Sequence, residues 1–292
     1  MESARIGILY VALGAALWGI IGLFTRFLYS SGLSPMQITL TRCLVTLAVM
    51  TATILVMDRK LFRIDPKDIW MFIGTGLFSI VFFNVMYFTT QQMVSLSIAS
   101  VLLYTAPCFV MIMSMFLFKE RITRLKMLAL ILAFAGCVFS AGIGSEELNI
   151  GILFGILAGF GYALYSIFSK FALKKYSLVT ILFYTFLIAS LCLLPFCEPM
   201  TMVDLCNDTE IILNILGLGI ISTVLPYYFY TKGLKSMDAG KASIIAFVEP
   251  MVATILSLMI GDPFGITNVI GIVLILGSVI LLSRGTENAD AA

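Results

Sequence analysis

Histidine is absent from this chain, which removes the commonest metal ligand and general base. Charge is scarce as well: only 12% of the 292 residues are charged, against about a quarter in soluble domains. Eight prolines and no long polar stretch argue against disorder or a large soluble appendage. The six cysteines (Cys43, Cys108, Cys137, Cys192, Cys197 and Cys206) form no C-x-x-C pair, and five sit in or beside apolar segments, where a thiol acts as a small hydrophobe. Free thiols are expected, with a Cys197–Cys206 bridge as the alternative. A G-x-x-x-x-G-K-[ST] phosphate loop is missing, as are H-E-x-x-H and other catalytic constellations, which argues against ATP drive and a membrane-embedded enzyme. No catalytic residue, cofactor or metal site is therefore expected, and the net charge of +2 gives no reason to expect nucleic acid.

What is present is apolar surface: 61% of the residues are hydrophobic. A soluble protein of this size could not hide so much, because much of its surface must still meet water. A helix crossing the hydrocarbon needs about 20 apolar residues. Such runs fall near 6–29, 35–57, 69–90, 95–118, 125–143, 150–172, 178–197, 211–231, 240–260 and 265–283. They are apolar all round rather than alternating, which predicts helices and not barrel strands. The first run follows Arg5 but is too long for the ~7–15 residues of a signal-peptide core, so it is expected to be the first span.

The connections are sorted by charge. Arg5, Arg59, Lys60, Arg63, Lys67, Lys119, Arg121, Arg124, Lys126, Lys170, Lys174, Lys175, Lys232, Lys235, Lys241 and Arg284 share one side if ten helices alternate. The opposite loops carry Glu146, Glu147, Glu198, Asp204, Asp208 and Glu210 without a lysine or arginine. The positive-inside rule then predicts a multi-pass cell-membrane protein with both termini in the cytoplasm.

The second half repeats the first. Gly7-Ile8-Leu9 recurs as Gly151-Ile152-Leu153, Trp18-Gly19 as Tyr162-Ala163, and Arg26 as Lys170. After a one-residue slip Ala99-Ser100 aligns with Ala242-Ser243, Pro107 with Pro250, and Tyr87 with Tyr230. Residues 1–144 and 145–286 are expected to be the two five-helix repeats, with 287–292 a short cytoplasmic tail. Five is odd, so the second copy must enter the membrane from the opposite face, an arrangement that transporters use for alternating access. Arg26 and Lys170 are expected to snorkel to opposite interfaces.

The first copy carries Ala16-Leu17-Trp18-Gly19, Arg42, Tyr104-Thr105-Ala106-Pro107 and Lys119-Glu120-Arg121. The second adds Tyr162-Ala163-Leu164-Tyr165, Lys232-Gly233-Leu234, Glu249-Pro250 and Gly261-Asp262. In their order and double occurrence these segments resemble the EamA-type branch of the drug/metabolite transporter superfamily, which more often shows Gly-Glu at the last of them. The resemblance implies a carrier of amino acids, amines, sugars or other metabolites, more often an exporter, and names no substrate.

Two ionisable groups fall deep in predicted spans, where a charge costs roughly 2.5–3.5 kcal/mol on insertion scales. Arg42 and Glu249 lie about 10 and 12 Å from their helix ends at helical rise. They could pair directly or through water and lock the halves together, or they could bind the two ends of a zwitterion. Glu249 is also the candidate for proton coupling, because burial disfavours the charged carboxylate. Pro107 and Pro250 each free a backbone carbonyl mid-helix, and matched broken helices point to a transport site. Trp18, Asn84, Tyr87, Tyr104, Thr105, Tyr162, Tyr165, Tyr227, Tyr228 and Ser243 are expected around these helices as cavity lining, whereas Tyr10 and Tyr176 suit the interface. Gly151, Gly155 and Gly159, with Gly14, Gly19 and Gly22, are expected to be packing faces.

The sequence thus predicts an all-α integral membrane protein of ten helices in two inverted repeats. Its expected function is secondary transport of a small, amino-acid-like or amine-like solute, and its expected state monomer or homodimer. A lipid or sugar flippase of the same fold is the alternative.

Overall fold

The computed structural model describes residues 2–141, 150–198, 202, 208–259, 261 and 265–289. Among the described residues, ten helices are long and apolar enough to cross a membrane. They are α1 (Arg5–Ser30), α2 (Pro35–Met57), α3 (Pro66–Gln91), α4 (Leu96–Phe118), α5 (Arg124–Ala141), α6 (Gly151–Ala172), α7 (Leu178–Phe196), α8 (Thr209–Leu234), α9 (Ala239–Met259) and α10 (Ile266–Ser283). All ten predicted spans are matched. The repeat boundary, Glu146, Glu147, Asp204, Cys206, Asp262 and residues 290–292 lie outside the described residues.

Short polar signals start the helices. Ser34 and Gln37 form a reciprocal capping box ahead of α2, with Pro35 in its first turn. Ser95 accepts from the N–H of Ile98 at α4, Ser177 from Thr180 at α7 and Asp208 from Glu210 at α8. Each satisfies a donor that the helix leaves without a partner. Within the spans, Thr39, Thr46, Thr51 and Thr53 donate to the carbonyl four residues back, which keeps the hydroxyls satisfied where no water reaches. Large apolar side chains such as Leu9, Val56, Phe116 and Ile266 face outward, as lipid contact requires.

The packing exchanges partners between the halves. Helix α1 packs on α8 and the second half of α9 (Val248–Met259), while α6 packs on α3 and α4. Helix α2 meets α7, and α5 meets α10. These pairings are unchanged when the first five helices are exchanged with the last five. Gly7 lies on Ser236 and Gly14 on the Pro226 carbonyl, so α1 and α8 run antiparallel; Gly74 lies on Phe168 and Gly161 on Phe83, so α3 and α6 do too.

Both repeats carry the same departures from α geometry. Helix α3 is π-helical over Gly74–Val81 and α8 over Ile220–Val224. These stretches end two residues before the counterparts Phe83 and Pro226, so the widening needs no proline. Helix α4 breaks between Leu96–Leu103 and Ala106–Phe118, and α9 between Ala239–Ile245 and Val248–Met259. Helix α1 breaks once more, between Glu2–Gly19 and Ile21–Ser30, whereas α6 is continuous over Gly151–Ala172.

Candidate functional site

The breaks in α4 and α9 lie just before Pro107 and Pro250 and are tightened by short-range bonds. Thr105 N–H donates to the Leu102 carbonyl at 3.1 Å and Cys108 N–H to Thr105 at 3.0 Å. In α9, Phe247 N–H donates to Ile244 at 3.1 Å and Glu249 N–H to Ala246 at 2.9 Å. Such i to i−3 bonds satisfy carbonyls that an uninterrupted helix would have bonded. Glycines on the exchanged helices bring backbone against the breaks. A Cβ on Gly159 would meet the carbonyls of Leu102 and Leu103 at 3.0 and 3.1 Å, and one on Gly19 would meet the Glu249 carbonyl at 2.7 Å. Gly155 packs on Leu102, but nothing lies within 4 Å of a Cβ on Gly22, so Gly22 is not the packing position its spacing predicts.

Tyr104 and Phe247, each three residues before its proline, stack on one another across the repeats with ring centroids 5.3 Å apart. Towards the basic end lies a narrow cavity with about 410 Å³ of atom-free space, part of it open to the surroundings. Its walls are Trp18 of α1; Tyr104, Ala106, Pro107 and Val110 of α4; Tyr162, Ala163, Tyr165 and Ser166 of α6; Tyr227 and Tyr230 of α8; and Ser243 and Ala246 of α9. Trp18 contacts Tyr227 and Tyr230 at 5.0 and 5.2 Å between centroids, and Tyr165 contacts Tyr227 at 4.8 Å. The hydroxyls are held: Tyr165 bonds Thr231 at 2.7 Å and Tyr230 bonds Ser166 at 2.7 Å. No charged side chain is among the walls.

Seven of the predicted site residues line this cavity: Trp18, Tyr104, Pro107, Tyr162, Tyr165, Tyr227 and Ser243. The others sit beside it. Glu249 is half-buried and accepts from the Tyr162 hydroxyl at 3.1 Å, so it is one ring away from the cavity. Arg42 donates from Nε to Thr223 at 3.1 Å, and Thr223 donates on to the Leu218 carbonyl at 2.9 Å, within the π-helical region of α8. The direct Arg42–Glu249 pair weighed from the sequence is not formed; a neutral hydroxyl partners each group instead. Asn84 is buried and spent locally: Nδ2 donates to the Ile80 carbonyl at 2.7 Å, and Oδ1 accepts from Thr39 at 3.3 Å. Tyr87 bonds Ser100 at 3.4 Å and touches Phe83, which touches Tyr162. Pro250 and Tyr228 are not among the walls; Tyr228 faces Phe229 and the Lys232 ammonium.

Tyr230 and Ser166 are lining residues that the sequence reading did not assign. Both were within reach of it: Tyr230 follows Tyr227 by three residues and Ser166 follows Tyr162 by four, so each shares a helix face with a predicted residue. Lys170, expected at the interface, is held there by named partners: its Nζ donates to Glu120 at 2.9 Å and to the Met237 carbonyl at 2.6 Å.

Ten helices long and apolar enough to cross a membrane, with a cavity among the broken ones, define a multi-pass membrane protein. The sequence profile of the EamA-like transporter family matches residues 5–142 and again 149–284; the chain belongs to that family. It is 29% identical over 94% of its length to an "uncharacterized transporter" of Archaeoglobus fulgidus, 97% of which is covered. It is 25% identical over its full length to the whole of YicL of Salmonella typhimurium, an "uncharacterized inner membrane transporter". YdfC of Bacillus subtilis, another "uncharacterized transporter", is 27% identical over 85% of this chain and 81% of its own. A solved crystal structure superposes with a TM-score of 0.79 at 20% identity, over 97% of this chain and 98% of that one, a likeness of fold alone.

Proposed function

We propose that this transporter moves a small amino-acid-like or amine-like solute by alternating access, with export its working direction. The observation that carries the reading is the Tyr104–Phe247 stack. It joins the two broken helices at equivalent positions, and Tyr104 is itself a wall of the aromatic cavity. Aromatic walls suit an apolar or cationic solute part, and Glu249 behind the Tyr162 hydroxyl supplies a carboxylate beside them. Residues 1–144 and 145–286 act as the two rocking halves, with the basic loops and both termini in the cytoplasm. Glu249 is also the group we assign to proton coupling.

The test is counterflow in proteoliposomes against amino acids, amines and sugars. Exchange of at least one amine or amino acid is expected; intact protein that exchanges none of the panel would refute the reading. Glu249→Gln is expected to remove the response of flux to a pH gradient, and an unchanged response would refute the coupling assignment.

A further inference from the structure

At the basic end of the bundle, charges from separate connections meet in one polar knot. Lys119 adopts a left-handed conformation (φ 58°) that ends α4, and Glu120 N–H closes the turn onto the Ser114 carbonyl at 3.3 Å. The reversal directs the Glu120 side chain back under the helices, where it is only 7% exposed. Its carboxylate accepts from Lys170 of α6 at 2.9 Å and from the backbone N–H groups of Ala239 and Gly240, at 2.9 and 3.2 Å, where α9 begins. Lys126 of α5 completes the knot, donating to Asp238 at 2.6 Å and to the Arg121 carbonyl at 2.9 Å.

The knot sits directly beneath the cavity. Lys170 lies four residues after Ser166, and Gly240 three before Ser243; both pairs are one helical turn apart on shared faces. The first half of α9 is correspondingly enclosed: Ala239, Gly240, Ala242, Ser243, Ile244 and Ile245 are all buried. A carboxylate and an ammonium removed from water are stable only while paired and hydrogen-bonded. The same groups are well solvated once water enters. An arrangement of this kind is therefore bistable, closed when dry and open when wet, and it spans both repeats.

We propose that this knot is the latch that holds the basic end of the pathway shut, with Glu120 as its central positioning residue. The proposal rests on the alternating-access reading above. Opening the basic side requires Glu120 to release both Lys170 and the start of α9, and the opposite side then closes.

The test uses the full chain in oriented vesicles, with its native cysteines replaced and one reporter cysteine added. Ala246→Cys reports on the cavity, and Ser100→Cys reports on the half of α4 towards the acidic end. A membrane-impermeant maleimide is applied to each side in turn. Glu120→Gln is expected to raise Ala246→Cys labelling from the basic side about tenfold, equivalent to about 1.4 kcal/mol of latch, and to lower Ser100→Cys labelling from the other side. Lys170→Met should reproduce the shift, and the double variant should add little to either, since both residues act through one interaction. Any result other than opposite shifts at the two reporters overturns the latch; in particular, labelling that rises at both shows a staple of the fold and no gate. The readout needs no substrate. A counterflow panel without a hit leaves the latch tested, and exchange without reciprocal labelling refutes the latch alone.

Discussion

The breaks in α4 and α9 share a backbone design and differ in chemistry. Both lie just before a proline, both are tightened by i to i−3 bonds, and both are covered by a glycine from an exchanged helix. Yet α4 reads Tyr104-Thr105-Ala106-Pro107 where α9 reads Phe247-Val248-Glu249-Pro250. Ala106 lines the cavity where its counterpart Glu249 is a carboxylate. The mechanical element is duplicated and the ionisable one is not, so the two roles are separable by substitution.

The largest expected effect comes from the side that carries the chemistry. Glu249→Gln should lower exchange in proteoliposomes about tenfold or more, the consequence of losing roughly 1.4 kcal/mol or more. Adding Ala106→Glu to that variant should not restore it; recovery would show that the two breaks are interchangeable and would break the comparison. Tyr162→Phe removes only the hydroxyl that Glu249 accepts from. A bond to a charged group is worth about 1.5–3 kcal/mol, shared here with solvent or other hydroxyls, so a several-fold lower initial rate with unaltered folding is expected.

Backbone substitutions should affect both halves alike. Gly159→Ala and Gly19→Ala each place a Cβ against carbonyls of the opposite repeat, and such overpacking costs about 1–3 kcal/mol. Thermal unfolding in detergent should fall by similar amounts for the two, whereas Gly22→Ala, with nothing within 4 Å, should be silent. A loss confined to one break would sharpen the comparison into a difference of mechanics as well.

The smallest effect is expected away from both breaks. Lys175 holds the Asp68 carboxylate through two 2.9 Å bonds, which raise its ammonium above the usual lysine range. A raised folded value means that this contribution is complete below about pH 10.4 and is lost as pH climbs through the folded value. Lys175→Met should lower Tm by roughly one or two degrees near neutrality, because its side chain is 56% exposed and well screened. The difference from the unsubstituted chain should vanish once pH exceeds the raised folded value.

Hydropathy made the ten spans legible, since the bilayer imposes length and polarity on every crossing. Third and eighth spans run longer than predicted because their ends, at Pro66–Asp68 and Lys232–Leu234, continue as helical turns. The repeated prolines announced broken helices and seven cavity residues followed from them. Pairing across the bundle was not legible. Arg42 was read by depth alone, which cannot reveal that Thr223 takes its guanidinium. Glu120 and Lys170 were read as charges outside or at the edge of the membrane, although 50 residues apart in sequence they bond to one another. Sidedness is a property of one loop at a time; a knot is a property of three.

The stacked pair Tyr104 and Phe247 has a consequence for how such a chain can arise. Two separate, identical five-helix chains packed antiparallel would set this residue against its own copy, and every change would appear twice. Such a pair would carry two carboxylates, one at each break, or none; two would repel or share a proton. Joining the copies in one polypeptide frees each half to vary alone. A lone acid at the centre of a symmetric frame is what a fused gene permits and a homodimer forbids.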